Sequence, residues 1–206
     1  MTEKTLNENM ADAAFRATAT RAGPRAASPF HPGEFVVYPS LGVGKIEDIG
    51  NEVISGHPLN LVRISFDDCR MTLRIPVARV HDLGLRKLAS YDTLTRALRT
   101  LSGRPHTSRK AWAVRMRAHL AKIRSGEVHA LAEVLRDLQA DARSFPGATG
   151  RRALFGLALA RLAAELAAVT GTTREQALIR IRQVFEHTGT GWDDDQSDAP
   201  GSVVGF

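Results

Sequence analysis

Phe30-His-Pro-Gly-Glu-Phe-Val-Val-Tyr-Pro-Ser-Leu-Gly-Val-Gly-Lys-Ile46 decides how this chain begins to fold. A β-type run, Phe35-Val-Val-Tyr38, stops at Pro39 and gives way to Gly42 and Gly44, which admit backbone conformations that other residues resist. A second strand-like run follows, with apolar residues at 43, 46 and 49 in imperfect alternation. In Leu59-Asn-Leu-Val-Arg-Ile-Ser-Phe66 the apolar phase changes, with Leu59 and Leu61 on one face and Val62, Ile64 and Phe66 on the other. A bulge or burial on both faces accounts for such a change. Met71, Leu73 and Ile75 alternate cleanly with Thr72 and Arg74, as in a half-buried strand. Ser55-Gly56-His-Pro58 and Asp67-Asp68 supply the intervening turns. Four or five short antiparallel strands in this span predict a small, strongly bent, Tudor- or SH3-like β domain over residues 30–86.

After Gly84 the hydrophobic period becomes helical. Ser90 is placed to cap a helix with Leu94, Leu98 and Leu101 inward, ended by Gly103 and Pro105. Ser108 caps the next, which runs to about Arg124 and closes at Ser125-Gly126. Val128, Leu131, Val134, Leu135 and Leu138 mark a third helix, and Leu154, Leu157, Ala158, Leu162, Leu166 and Val169 a fourth. Thr172-Thr-Arg-Glu175 reads as a capping box opening a fifth, with Leu178, Ile181, Val184 and Phe185 apolar. The expectation is an α+β protein of two domains, the second a compact all-α unit of five helices over residues 87–188. Residues 1–29 read as a disordered arm, and residues 189–206, with Trp192 beside four Asp, as an acidic Gly-rich tail.

The composition bounds the function. The 206 residues hold one medium domain or two small ones, and 43% hydrophobic content supports packed cores. One cysteine, Cys69, excludes an internal disulfide framework and a cysteine-based zinc site. No run of about 18 to 20 uninterrupted apolar residues is present, and no secretory h-region, so a cytoplasmic protein without a membrane segment is expected. The net charge of +6 is uneven: between Arg86 and Arg124 eleven Lys/Arg face one acid, Asp92, leaving the rest of the chain at −4. A basic block of this kind is either a solvated helical surface or the footprint of a phosphate-backbone binder.

The order of motifs resembles the CarD/CdnL transcription regulators. The opening stretch, Met71-Thr-Leu-Arg-Ile-Pro-Val77 and Gly84-Leu-Arg86 resemble the RNA-polymerase-interacting domain that this family shares with the transcription-repair coupling factors. Trp112-Ala-Val-Arg-Met-Arg117, Lys122-Ile-Arg-Ser-Gly-Glu127 and Ala132-Glu-Val-Leu-Arg-Asp-Leu138 resemble the family's helical C-terminal domain in order and spacing, and the likeness spans about residues 30–185. The resemblance implies that the first domain docks on the polymerase β subunit and that the second lays a basic surface and one Trp on promoter DNA, at the upstream edge of the melted bubble. By residue, it assigns polymerase contact to Arg74 within Leu73-Arg-Ile-Pro76, the wedge to Trp112, and flanking basic positions to Arg115 and Arg117. Val114 departs from the family, which usually has Arg there, and Glu52 stands where some relatives carry Arg.

The residues themselves leave Trp112 open. Helical spacing puts it on one face with Met116, Leu120 and Ile123, which is the stripe of a core residue. A place in the first turn lets an indole project beyond that stripe, as minor-groove wedges do. Lys110, Arg117 and Arg124 recur every seven residues along one flank of this helix, and Arg115 and Lys122 line the other. Such residues hold phosphates without reading sequence, and no array of Asn, Gln or Arg is set to read base edges. The seven His show no metal spacing, no phosphate-binding Gly-rich loop is present, and Glu133 with Arg136-Asp137 reads as a structural ion-pair cluster. A non-enzymatic monomer without cofactors is expected, associated with the nucleoid through polymerase. The rivals are a polymerase-independent nucleic-acid-binding protein and an adaptor whose basic surface meets an acidic protein.

Overall fold

The computed structural model describes residues 28–54, 56–67, 70–106, 111–144 and 150–187. The arm up to residue 27, Ser55, Asp68, Cys69, the segment 107–110 with Ser108 and Lys110, and the tail from 188 lie outside them. Five strands, β1 (Phe35–Tyr38), β2 (Gly42–Ile54), β3 (His57–Phe66), β4 (Met71–Pro76) and β5 (Arg86–Lys87), form one antiparallel sheet in the order β4-β3-β2-β1-β5. A 3₁₀ turn, Val77–Arg79, leads out of β4. Five helices follow: α1 (Tyr91–Leu101), α2 (Trp112–Ser125), α3 (Val128–Ser144), α4 (Arg151–Thr170) and α5 (Arg174–His187). The α+β layout with a sheet followed by five helices is as the sequence predicts; the two-residue strand β5 was not legible there.

The imperfect alternation of β2 has a local cause. The β2–β3 register steps from Ile46↔Ile64 to Asp48↔Arg63, so Glu47 is the extra residue of a bulge. That extra residue returns Ile49 to the inner face, opposite Val62. In β3 there is no change of phase. Val62, Ile64 and Phe66 point inward and are buried, while Leu61 on the outer face is buried too, so the strand is apolar on both sides. Gly44 is dictated by space: a Cβ there would stand 2.7 Å from both Ile64 and Phe66, and Phe66 in turn meets Tyr38 edge-on. The inner core joins Phe30, Val36, Ile46, Val62, Ile64, Phe66, Ile75, Val77, Val80 and Leu85.

The helical core is separate. Leu94, Ala97, Leu98 and Leu101 of α1 pack with Leu131, Val134, Leu135 and Leu138 of α3 and with Leu154, Phe155, Ala158, Leu162 and Leu166 of α4. Ser90 caps α1 as its position suggests, accepting from the Thr93 amide at 3.2 Å. The α5 cap lies one residue later than Thr172. Thr173 accepts from the Gln176 amide, and the Gln176 side chain accepts from the Thr173 amide. The reason is the preceding helix: Gly171 turns left-handed to end α4, and the Thr172 amide is used on Ala167 O at 3.1 Å. Helix α4 is long and apolar enough to cross a membrane by length and composition. One face of it fills the helical core, and its mid-helix charges, Arg161 and Glu165, meet the sheet side of the molecule.

Candidate nucleic-acid interface

Helix α2 begins at Trp112, with Ala111 at the N-cap and no side-chain cap. Its inward positions are His119 and Ile123, buried, with Trp112, Met116 and Leu120 half-buried against the helical core. Its outward positions are Ala113, Val114, Arg117, Ala118, Ala121 and Arg124, all exposed. This outer face carries two cations and no acid on a floor of small apolar side chains. At Val114 an exposed apolar side chain stands.

The two flanks of the helix separate chemically. Arg117 and Arg124 project into solvent. On the other flank, the Arg115 guanidinium reaches both carboxylate oxygens of Asp141 at 2.6 Å, with the two side chains only 13% and 17% exposed. Arg115 also lies 5.4 Å from the centroid of the Trp112 ring, so cation and indole brace each other at the start of the helix. Lys122 donates to Glu133 at 2.7 Å, which holds that carboxyl below its ordinary range. Arg115 and Lys122 are therefore engaged within the protein, and Lys110 lies outside the described residues.

Beneath this surface is a buried polar layer. Asp137 accepts from Arg136 at 2.9 Å and from the His106 amide at 2.8 Å, pinning the α1–α2 connection to α3 at His106. His119 is 8% exposed, and burial pushes its imidazole below the usual range; Lys122 and Arg115 add to this while Asp137 and Asp141 oppose it. The ion-pair cluster read from Glu133, Arg136 and Asp137 is structural in its contacts.

In the sheet, β4 is the edge strand furthest from β5 in the strand order and, among the described residues, pairs only with β3. Leu73 and Ile75 pack into the sheet core, half-buried and buried, so their side chains support the edge from within. Arg74 and Thr72 face outward. Arg74 sits 3.3 Å from Glu52, and the same carboxylate accepts from Arg63 at 2.6 Å, so the β4 arginine belongs to a three-residue network across β2, β3 and β4. The Arg63 hydrogen bond keeps the Glu52 carboxyl below its ordinary value. Sequence reading missed Arg63 and Asp141, whose partners are distant in the chain. It also passed over Arg161 and Glu165, although two charges four residues apart in the otherwise apolar body of a helix were a visible signal.

Comparison with known proteins agrees with this arrangement. Residues 30–89 match the CarD-like/TRCF RID domain, an RNA-polymerase-interacting domain, and residues 96–182 match the CarD C-terminal domain. The "Putative transcription factor YdeB" of Bacillus subtilis (strain 168) is 24% identical over 147 residues, covering 71% of this chain and 96% of that protein. With a sheet domain and a helical domain that match the two family domains in the same order, the chain belongs to the CarD family of transcription regulators that interact with RNA polymerase.

Proposed function

We propose that the protein docks on the polymerase β subunit through the β4 edge and stabilises the open promoter complex by laying α2 on DNA at the upstream edge of the bubble. The division of labour is residues 30–86 for polymerase and 87–188 for DNA. At β4, the free edge of Leu73-Arg74-Ile75-Pro76 offers unpaired backbone groups, and Arg74 offers an exposed guanidinium. At α2, Arg117 and Arg124 supply phosphate contacts, with Lys110 just ahead of the helix in sequence, and Trp112 supplies an aromatic ring.

The observation that carries this reading is the outer face of α2: two exposed arginines over Val114, Ala118 and Ala121, without an acid. Small side chains allow the helix to approach a phosphate backbone closely. No base-reading array is present on that face, so contacts of low sequence specificity follow. Binding the melted complex more tightly than the closed one shifts the equilibrium by the difference in affinity. About 1.4 kcal/mol of difference gives a tenfold shift. Docking on polymerase makes the DNA contact intramolecular, so an intrinsically weak contact suffices. This is regulation by binding, in a monomer that works wherever polymerase meets the nucleoid.

The test is open-complex lifetime with full-length Arg117→Ala/Arg124→Ala, alongside polymerase capture. A shorter lifetime with unchanged capture supports the reading. Unchanged lifetime with loss of an acidic protein partner would make the basic face an adaptor surface.

A further inference from the structure

The two apolar cores do not meet. Among the described residues, every member of one cluster lies at or before Leu85, and every member of the other at or after Ala89. Domains without a shared apolar core are ordinarily free to reorient. Here the junction has a few apolar contacts, such as buried Val37 beside Gly126, and its directional contacts are polar and centre on the C-terminal end of α2.

That end turns left-handed at Gly126, whose amide donates to Ile123 O at 3.3 Å, and its last carbonyls carry the negative end of the helix dipole and have room for further donors. Two arginines from other elements take them. Arg86 of β5 donates to Gly126 O, and Arg161 of α4 donates to Ile123 O at 2.8 Å. The same Arg161 donates to Pro39 O at 2.9 Å and to Ser40 O, both in the β1–β2 turn. Arg86 forks onto Glu165 of α4 at 2.7 and 2.9 Å, and Glu165, 1% exposed, also accepts from the Ala89 amide at 2.9 Å. Turn, helix end, β5 and interdomain linker are thus closed into one ring by two guanidiniums and one carboxylate. Packing is tight at its centre, since a Cβ on Gly126 would stand 3.1 Å from Pro39 Cα.

A buried ion pair adds little net stability over an apolar pair of the same volume, but a bidentate fork fixes direction. Direction matters because the pin is at one end of α2 and Trp112 is at the other. Over 14 residues the helix runs about 20 Å, so about 10° of slack at the pin moves the Trp112 end by about 3 to 4 Å.

We infer that Arg86, Arg161 and Glu165 are positioning residues that hold α2 at one fixed angle to the sheet, so that a molecule docked through β4 presents the outer face of α2 in a single orientation. This rests on the reading of α2 given above. A fixed angle concentrates the helix at its target, where a loose tether spreads it through space.

The experiment uses the full chain with Cys69→Ser and spin labels at Glu47→Cys on β2 and Ala118→Cys on α2, both exposed positions. The parent gives one narrow distance distribution. Arg161→Met, and separately the pair Arg86→Met/Glu165→Met, which leaves no unpaired buried charge, broaden it at least twofold. A second label pair within the helical domain, Ala118→Cys with Glu186→Cys, stays narrow in the same variants. An unchanged sheet-to-α2 distribution overturns the proposal, and so does broadening of both pairs, which would mean that these residues hold the helical domain together. Open-complex lifetime then falls severalfold in the broadened variants while polymerase capture is unchanged. If the angle loosens and the lifetime does not respond, the reading of α2 as the DNA face fails and the pin stands.

Discussion

The Arg115 guanidinium lies 2.6 Å from both carboxylate oxygens of Asp141, almost out of solvent, while Arg117, two residues along the same helix, is exposed. The pair divides the basic block into structural and available charge. Arg115→Ala strands the Asp141 carboxylate and is expected to cost about 3 kcal/mol of stability, measured by denaturant unfolding. Its effect on the salt dependence of DNA binding is expected to be negligible. Arg117→Ala behaves oppositely, leaving stability within about 0.5 kcal/mol and flattening the log–log salt slope by about 0.9. Equal slope changes in the two variants would mean that Arg115 leaves Asp141 on DNA.

Trp112 is half-buried, with Met116 and Leu120 beside it and Arg115 over its ring, so packing and DNA contact are both open to it. Trp112→Ala is expected to lower stability by about 2 kcal/mol, less than the 3 to 5 of a fully buried Trp. Trp112→Leu keeps most of the apolar packing and loses the stacking ring. It is expected to fold with near-parent stability and to shorten open-complex lifetime about tenfold, the scale of one base–aromatic stack. An unaltered lifetime in Trp112→Leu would leave Trp112 as a packing residue alone.

Periodicity carried most of the fold, because strand alternation and helical stripes are local properties. Leu94, Leu98 and Leu101, or Val134, Leu135 and Leu138, are buried as their spacing demands. What sequence left ambiguous was settled by partners distant in the chain. Thr172…Glu175 and Thr173…Gln176 are equally good capping boxes, and only the use of the Thr172 amide by α4 decides between them. Gly42 and Gly44 look alike in sequence, yet one sits at φ 92° and the other is glycine for want of room. The basic block was visible as composition, but not its division. Nothing near Arg115 announces Asp141, and nothing near Arg86 announces Glu165, 79 residues away.

His119 gives a pH dependence with a definite sign. Its folded pKa is depressed by burial, so the unfolded chain binds the proton more readily. Around Lys122, Arg115, Asp137 and Asp141, stability is therefore fully present above the ordinary imidazole pKa of about 6.5 and declines as pH falls from there toward the folded value. His119→Leu removes a titrating group and is expected to flatten the decline that sets in as pH falls below about 6.5 in thermal melts. A decline of the same steepness in the variant would place its origin in carboxylates.

Gly44 tests the tightness of the sheet. An added methyl would stand 2.7 Å from Ile64 and Phe66, both in the closed inner core, so neither neighbour has space to yield. Gly44→Ala is expected to cost about 2 to 3 kcal/mol by overpacking, read as a shift in the denaturant midpoint without a change of slope. A neutral outcome would show that β2 and β3 can shift apart to make room.

The Glu52 carboxylate holds Arg63 and Arg74 on the outer face of the sheet, which bears directly on how β4 meets a partner. Arg74 is 58% exposed and its 3.3 Å pairing is the longer of the two, so exchange of Glu52 for an acidic group on polymerase costs little. Arg74→Ala is expected to weaken polymerase capture about five- to tenfold and to leave the melting temperature unchanged. Glu52→Gln releases both arginines and is expected to capture polymerase at least as well as the parent, with a steeper loss of binding as salt rises. In one equilibrium capture assay Arg74→Ala must fall below the parent and Glu52→Gln must not. If Glu52→Gln weakens capture as much as Arg74→Ala does, the intact three-residue network is the docking surface, and Arg74 does not act alone.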